Sequence, residues 1–259
     1  TLQTFDKENH LIQSYSYSDA EAQKLNGESI TYYKNGNKRS LITYDNGKPV
    51  GTFFTWYENG NPKEESSYFD VSWGSAKHQK MINYWNEKGE KTVDNGNGFL
   101  ESYGDYLNER GNYRNGFKDG KWTGNSLKNT FSYEETYTDG ELVSGVSIES
   151  DGTKNEYTSL EVKPEPIKGM GHFYKYISKN FNAPNSAYKN KIQGKIIVAF
   201  VVDKEGKITE PKIVKSLGTE LDNEAIRILT SYENWKPALQ KGRKVRCSFS
   251  IPIKLDFSR

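Results

Sequence analysis

Between residues 26 and 157 the chain returns repeatedly to an aromatic residue followed by Asn-Gly or Asp-Gly. YDNGKPVG (Tyr44–Gly51) recurs as YRNGFKDG (Tyr113–Gly120) and, one residue longer, as YTDGELVSG (Tyr137–Gly145). Tyr44 to Tyr68 and Tyr113 to Tyr137 are each 24 residues apart, with VDNGNG (Val93–Gly98) as a degenerate copy between them. A second phrase, YKNG (Tyr33–Gly36), returns as YENG (Tyr57–Gly60) and loosely as WNEKG (Trp85–Gly89). About five units can be read this way. Asn-Gly and Asp-Gly supply the positive φ angles of hairpin turns, and the flanking aromatics suit a pleated surface. A lone hairpin is marginal in water, so the units are expected to stack into one elongated antiparallel sheet.

An apolar content of 34% is low for a packed domain, but 18 Tyr, 12 Phe and 5 Trp argue against a disordered chain. Thin β-structure that buries flat rings fits both facts. The repeat pattern resembles the MORN-repeat family, in its antitoxin-type variant branch, over about Asn26 to Tyr157. That resemblance implies a scaffold or interaction surface and no chemistry.

The net charge of +2 conceals an asymmetry. Residues 1–160 hold 24 Asp and Glu against 17 Lys and Arg, and residues 161–259 hold 10 against 19. Near this switch, TSLEVKPEPIK (residues 158–168) breaks the repeat, and Pro164 and Pro166 favour an extended connector. The expected organisation is a β-repeat domain over 1–157, a linker over 158–168 and a second domain over 169–259.

In the second domain HFYKYISKNF (His172–Phe181) has a helical face and stops before Pro184. Ile196 to Val202 is apolar on both faces, which predicts a central strand covered twice. DKEGK is a hairpin turn with Gly206 in the left-handed position, and KITEPKIVKS is the weaker partner strand. Thr219 and Asp222 have capping-box spacing ahead of a helix whose apolar face is Leu221, Ala225, Ile228, Leu229 and Tyr232. From Val245 to Phe257 every odd residue is apolar, including Cys247, read as a buried inert thiol. Pro252 interrupts this pattern. Proline within a sheet is confined to edges, strand starts and bulges, so the last strand is expected at an edge, where it is a template for a further strand. The fold class is therefore mainly β in two domains. An elongated antiparallel hairpin sheet precedes an α+β domain with a three-stranded antiparallel sheet and two helices.

Gly194 to Asp203, Gly206, Ser216, the LDNEAI helix, NWKPA and the terminal alternating strand closely resemble the TonB C-terminal domain, over about residues 167–259. The resemblance implies a periplasmic, non-enzymatic energy-transducer-type protein. Its edge strand would take up the TonB box, a peptide segment of an outer-membrane TonB-dependent transporter, by β-augmentation. The implied peptide-binding edge is Phe249, Ser250, Ile251, Ile253, Lys254, Leu255, Asp256 and Phe257, with Pro184 and Tyr188 as an auxiliary segment. The family's Tyr-Pro-x-x-x-Gln segment reads Ala183 to Tyr188 here and lacks its Tyr and Gln. An inner-membrane motor complex is a further implied partner, although no apolar run in these residues reaches the ~18 of a membrane span. Because the chain starts at Thr1, a removed signal peptide or anchor is expected. Two alternatives remain open. The same edge pairs with itself in a homodimer, or the repeats neutralise a partner as antitoxin-type proteins do.

No catalytic constellation emerges. His10, His78 and His172 lie in unrelated contexts without paired metal-ligand spacing, and Gly96-x-Gly98 reads as a turn rather than a phosphate loop. Glu64-Glu65 and Glu134-Glu135 place neighbours on opposite strand faces. The basic residues lack the stacking motifs of nucleic-acid binders. The expectation is no enzyme, no cofactor or metal, no nucleic acid and no small-molecule substrate.

Overall fold

The structure, a computed structural model, describes residues 1–18, 24–68, 79–104, 107–232 and 235–258. The chain divides into two compact units, Thr1–Leu160 and Glu161–Arg259. His78 and Asn234 of the NWKPA motif lie outside the described residues.

The first unit is one antiparallel sheet whose strands lie side by side in chain order. It begins with β1 (Leu2–Phe5), β2 (Leu11–Tyr17), β3 (Leu25–Tyr32), β4 (Lys38–Asp45), β5 (Lys48–Trp56), β6 (Pro62–Tyr68) and β7 (Gln79–Trp85). It continues with β8 (Lys91–Asp94), β9 (Asn97–Tyr103), β10 (Leu107–Arg114), β11 (Phe117–Ser126), β12 (Phe131–Thr138), β13 (Glu141–Glu149) and β14 (Lys154–Tyr157). The elongated sheet expected from the repeat is present, with fourteen strands among the described residues.

Each recurring phrase ties one turn to the next. The Tyr33 hydroxyl donates to the Trp56 carbonyl at 2.8 Å, and the Tyr57 hydroxyl donates to the Trp85 carbonyl at 2.8 Å. The amides of Asn35 and Asn37 converge on the Glu58 carbonyl, and those of Asn59 and Asn61 on the Glu87 carbonyl. A cation six residues on lies over each aromatic: Arg39 on Tyr33, Lys63 on Tyr57 and Lys91 on Trp85. Turns also meet across strands. Asn95-Gly96 and Asn115-Gly116 both adopt positive φ, and the Gly116 amide donates to the Gly96 carbonyl at 2.8 Å. The Gly116 carbonyl in turn accepts from the Met81 amide at 2.9 Å. The β10–β11 turn therefore reaches back to β7, which requires the sheet to curl.

Curling creates the inner core of Met81, Tyr84, Val93, Leu100, Trp122 and Tyr137. On this face three glycines stand directly opposite large rings: Gly111 with Trp122, Gly124 with Tyr133 and Gly145 with Tyr157. A Cβ on Gly111 would lie 2.3 Å from the Trp122 ring, and one on Gly145 would lie 2.3 Å from the Tyr157 ring. The rings thus lie flat over bare backbone. Glu135 is buried on the same face and accepts from the Tyr157 and Tyr137 hydroxyls at 2.6 and 3.0 Å, whereas Glu134 is exposed, as the strand alternation requires.

Glu64 lines a cavity of about 310 Å3 together with Tyr84, Glu109 and Tyr113. It accepts hydrogen bonds from the Ser66 hydroxyl at 2.7 Å and the Gln79 amide at 2.6 Å. Burial pushes its carboxyl above the ordinary 4.5, and the like charge of Glu109 adds to this against the opposing pull of Ser66, Lys63 and Gln79.

The second unit contains β15 (Glu161–Val162), β16 (Glu165–Pro166), α1 (Gly169–Asn180), α2 (Asn185–Lys189), β17 (Gln193–Val202) and β18 (Ile208–Lys215). It ends with α3 (Thr219–Thr230), β19 (Trp235–Lys236), β20 (Ala238–Gln240), β21 (Arg243–Val245) and β22 (Cys247–Asp256). The sheet order is β18-β17-β22, so β17 is central as expected. Its covering is one-sided, however. Ile196, Val198, Phe200 and Val202 are buried, and the intervening Ile197, Ala199 and Val201 are only half-buried. The buried row packs with Phe173 and Ile177 of α1, Leu221, Ile228 and Leu229 of α3, and Trp235.

Four local expectations change. Residues read as a connector include β15 and β16, which pair with β20 and β19 of this unit. A short α2 is added after Pro184. The α3 start is held by Asp222 reaching back to the Ser216 hydroxyl and the Leu217 amide, and Thr219 makes no capping bond. Cys247 is partly exposed, because it opposes Val202 at the very end of β17.

Two outcomes test this account. Replacing a strand glycine by alanine ordinarily gains about 0.5–1 kcal/mol, but Gly111→Ala drives a methyl group into the fully buried Trp122 and is expected to destabilise by about 1–3 kcal/mol. Denaturant unfolding reads the sign, and a gain would mean that the ring is not fixed there. For Glu64 the folded state keeps its proton to higher pH than the unfolded chain, so stability falls as pH rises from 4.5 through the raised native value. Glu64→Gln should flatten that fall and leave the protein at least as stable at about pH 7. Thermal unfolding across that window showing an unchanged slope would refute the assignment.

Candidate functional site

The terminal strand β22 pairs with β17 from Gln193↔Asp256 to Val202↔Cys247 without a bulge, and no described strand lies on its other side. Along a strand, each residue points its N–H and C=O to one lateral side and the next residue points them to the other. Two observations fix which residues point where. Phe257, the next odd residue, donates its amide to the Ile192 carbonyl at 3.0 Å, toward the β17 side. Pro252, an even residue opposite Ile197, has no N–H to give to β17. Odd residues therefore spend their main-chain groups on β17, and even residues present theirs at the free edge. Proline is tolerated at 252 because its missing donor falls on the open side.

This parity divides the residues singled out in the sequence. Ile251 and Ile253 are 2% exposed, and Phe249 packs on Phe200 and Trp235 at ring distances of 5.9 Å. Their main chains serve the sheet and their side chains serve the core. Ser250, Lys254 and Asp256 are exposed and present both amide and carbonyl at the edge. Ser248 joins them, as does the Pro252 carbonyl. Sequence reasoning omitted Ser248, although the spacing of even residues from Pro252 contains it.

Beside the edge lies a groove of about 1170 Å3. Tyr174 and Phe181 of the α1 region, Tyr188 of α2, and Leu255 and Phe257 form its apolar wall. Tyr188 is 56% exposed and meets Phe257 edge-on at 4.9 Å. Pro184 does not line the groove. It sets the start of α2, where its carbonyl accepts the Ala187 amide at 2.9 Å, and so positions Tyr188. Lys195, Lys215 and Lys254 also line the groove. Among the described lining residues the one carboxylate, Asp256, is held below the usual range by the Ser258 hydroxyl and amide. The groove is thus apolar along one wall and carries lysines along its margin.

Elsewhere, His10 does meet carboxylates, those of Asp6 and Glu8. The group is a turn in which Asp6 Oδ1 accepts the amides of Glu8 and His10 at 2.9 Å, and it is largely exposed. His172 faces the Tyr232 hydroxyl at 3.2 Å. No described helix is long and apolar enough to cross a membrane.

Residues 180–256 match the family described as Gram-negative bacterial TonB protein C-terminal. Among solved structures, the NMR solution structure of Helicobacter pylori TonB-CTD (residues 194–285) is similar at 25% identity, covering 35% of this chain and 95% of that one, with a TM-score of 0.29. A second solution structure of the same domain (residues 179–285) is similar at 26% identity, covering 32% of this chain and 76% of that one, with a TM-score of 0.26. No curated protein matches the chain. The terminal strand falls within the matched residues, as do Phe181, Tyr188 and Leu255 of the groove wall but not Tyr174 or Phe257, and over that segment the chain matches the TonB C-terminal family.

Proposed function

We propose that this chain is a non-enzymatic docking protein of the TonB type, which works in the periplasm and takes up an extended segment of an outer-membrane TonB-dependent transporter. The segment adds as a strand to the free side of β22, and its side chains enter the groove of Tyr174, Phe181, Tyr188 and Phe257. The observation that carries this reading is the parity of β22. Donors at Ser248, Ser250, Lys254 and Asp256 are aimed outward, and the one proline falls where it does not disturb pairing with β17. The fourteen-stranded sheet serves as scaffold and second contact surface.

The energetics favour a reversible contact. Each added main-chain hydrogen bond contributes about 0.5–1.5 kcal/mol net. A handful of them gives a few kcal/mol, which is roughly millimolar to micromolar before the groove contributes. Lys195, Lys215 and Lys254 speed the approach of a segment bearing carboxylates and make the affinity fall with salt.

Titration of the isotope-labelled chain with a synthetic TonB-box peptide tests this. The amides of Ser248, Ser250, Lys254 and Asp256 are expected to shift most, and those of Phe249, Ile251 and Ile253, already bonded to β17, less. Ser250→Pro removes a second outward donor while sparing β17, and should weaken binding several-fold, in line with the loss of about 0.5–1.5 kcal/mol. Saturation that leaves these amides unmoved sinks the reading. A concentration-dependent dimer that peptide cannot compete apart would instead assign the edge to self-association.

A further inference from the structure

The first unit carries a second recessed surface, independent of β22. On the outer face of its sheet, opposite Trp122 and Glu135, strands β9 to β13 form a polar groove of about 460 Å3. The register lays two cross-strand rows along it. Tyr103, Asn108 and Asn125 are successive partners in one row, and Arg110, Thr123 and Glu134 in the other. Five strands spaced about 4.8 Å apart make a floor of about 19 Å, long enough for several linked sugar rings.

Three features point to a ligand and limit its chemistry. Tyr103 is 68% exposed, and its hydroxyl donates to Glu101 Oε1 at 3.1 Å, which holds the ring in place with a face open to solvent. Asn108 Oδ1 is buried in the floor between Tyr103 and Asn125 and has no hydrogen-bond partner among the described residues. A buried acceptor without a donor is unusual, and the broad χ2 of an asparagine lets a small rotation bring that oxygen to an incoming hydroxyl. The charges in the groove are already engaged. Glu134 pairs with Lys121 at 2.8 Å and Glu109 with Lys118 at 2.7 Å, and Arg110, which donates to the Thr123 hydroxyl at 3.2 Å, stands opposite Glu101 in the register. No surplus of either sign remains to draw a polyanion or a polycation.

An exposed ring, amide groups in the floor and compensated charge suit a molecule that is uncharged, rich in hydroxyls and apolar on the faces of its rings. We propose that this groove binds a neutral oligosaccharide. One pyranose ring stacks on Tyr103, a hydroxyl of the chain donates to Asn108 Oδ1, and further hydroxyls meet Thr123 and Asn125.

The test uses the whole chain with two linear neutral probes, tetra-N-acetylchitotetraose and cellotetraose, read by calorimetry and by amide shifts. Saturable binding of at least one probe is expected, with shifts centred on Asn108 and Thr123 and none along β22. Tyr103→Ala should weaken it by about tenfold, and Asn108→Leu should do likewise. Because Tyr103 is largely exposed, its variant is expected to keep the native melting temperature, so it decides the matter even if Asn108→Leu fails to fold. Absence of saturable binding with both probes, unchanged affinity in Tyr103→Ala, or shifts confined to β22 would overturn the proposal.

Discussion

A single-layer sheet has no opposing layer on which to bury an inner face, so it must supply its own cover. The first unit does so by setting large rings onto the bare backbone of glycines one strand away. Where Trp122, Tyr133 and Tyr157 lie over Gly111, Gly124 and Gly145, the absence of a Cβ is what lets neighbouring strands turn inward while rings fill the concavity. The buried carboxylate of Glu135 depends on that arrangement, because one of its two hydroxyl partners, Tyr157, is among those rings and the other, Tyr137, packs on Trp122. This explains how a chain with so few aliphatic residues holds a core at all. Ring area replaces the branched side chains of a two-layer domain.

In the second unit the corresponding constraint is directional. A strand with one neighbour has two kinds of residue, and in β22 they are segregated by chemistry. The apolar odd residues face the helices and bond to β17, while Ser248, Ser250, Lys254 and Asp256 face solvent and turn their main-chain groups away from β17. Serine, lysine and proline along an open edge discourage indiscriminate pairing between copies. The edge is therefore guarded as well as open, and an aromatic wall lies beside it.

Much of this was readable in the residues themselves, because the signals are local. Asn-Gly turns need positive φ wherever they occur, and Pro252 excludes a central strand from its own position alone. The alternation of the last strand and the left-handed Gly206 are of the same kind. What escaped reading depends on partners distant in sequence. Nothing around Gly111 marks it as the seat of Trp122, since only the register makes them neighbours. Val162 and Pro166 look like connector residues until β20 and β19 are brought alongside. The one-sided covering of β17 was hidden because its second face is apolar in sequence whether or not anything packs there. In β22, the outward set including Ser248 needed one further step, from a forbidden donor at one residue to the parity of all the others.

The link from the β10–β11 turn back to Met81 joins strands that are not adjacent, whereas the asparagine ties elsewhere bind each turn only to the next. The sheet is thus not uniformly cooperative. Its middle is closed into a ring of mutual dependence that must melt as a block. Toward its first strand, where such a ring gives way to ties between nearest neighbours, it can open one hairpin at a time and close again without disturbing the block.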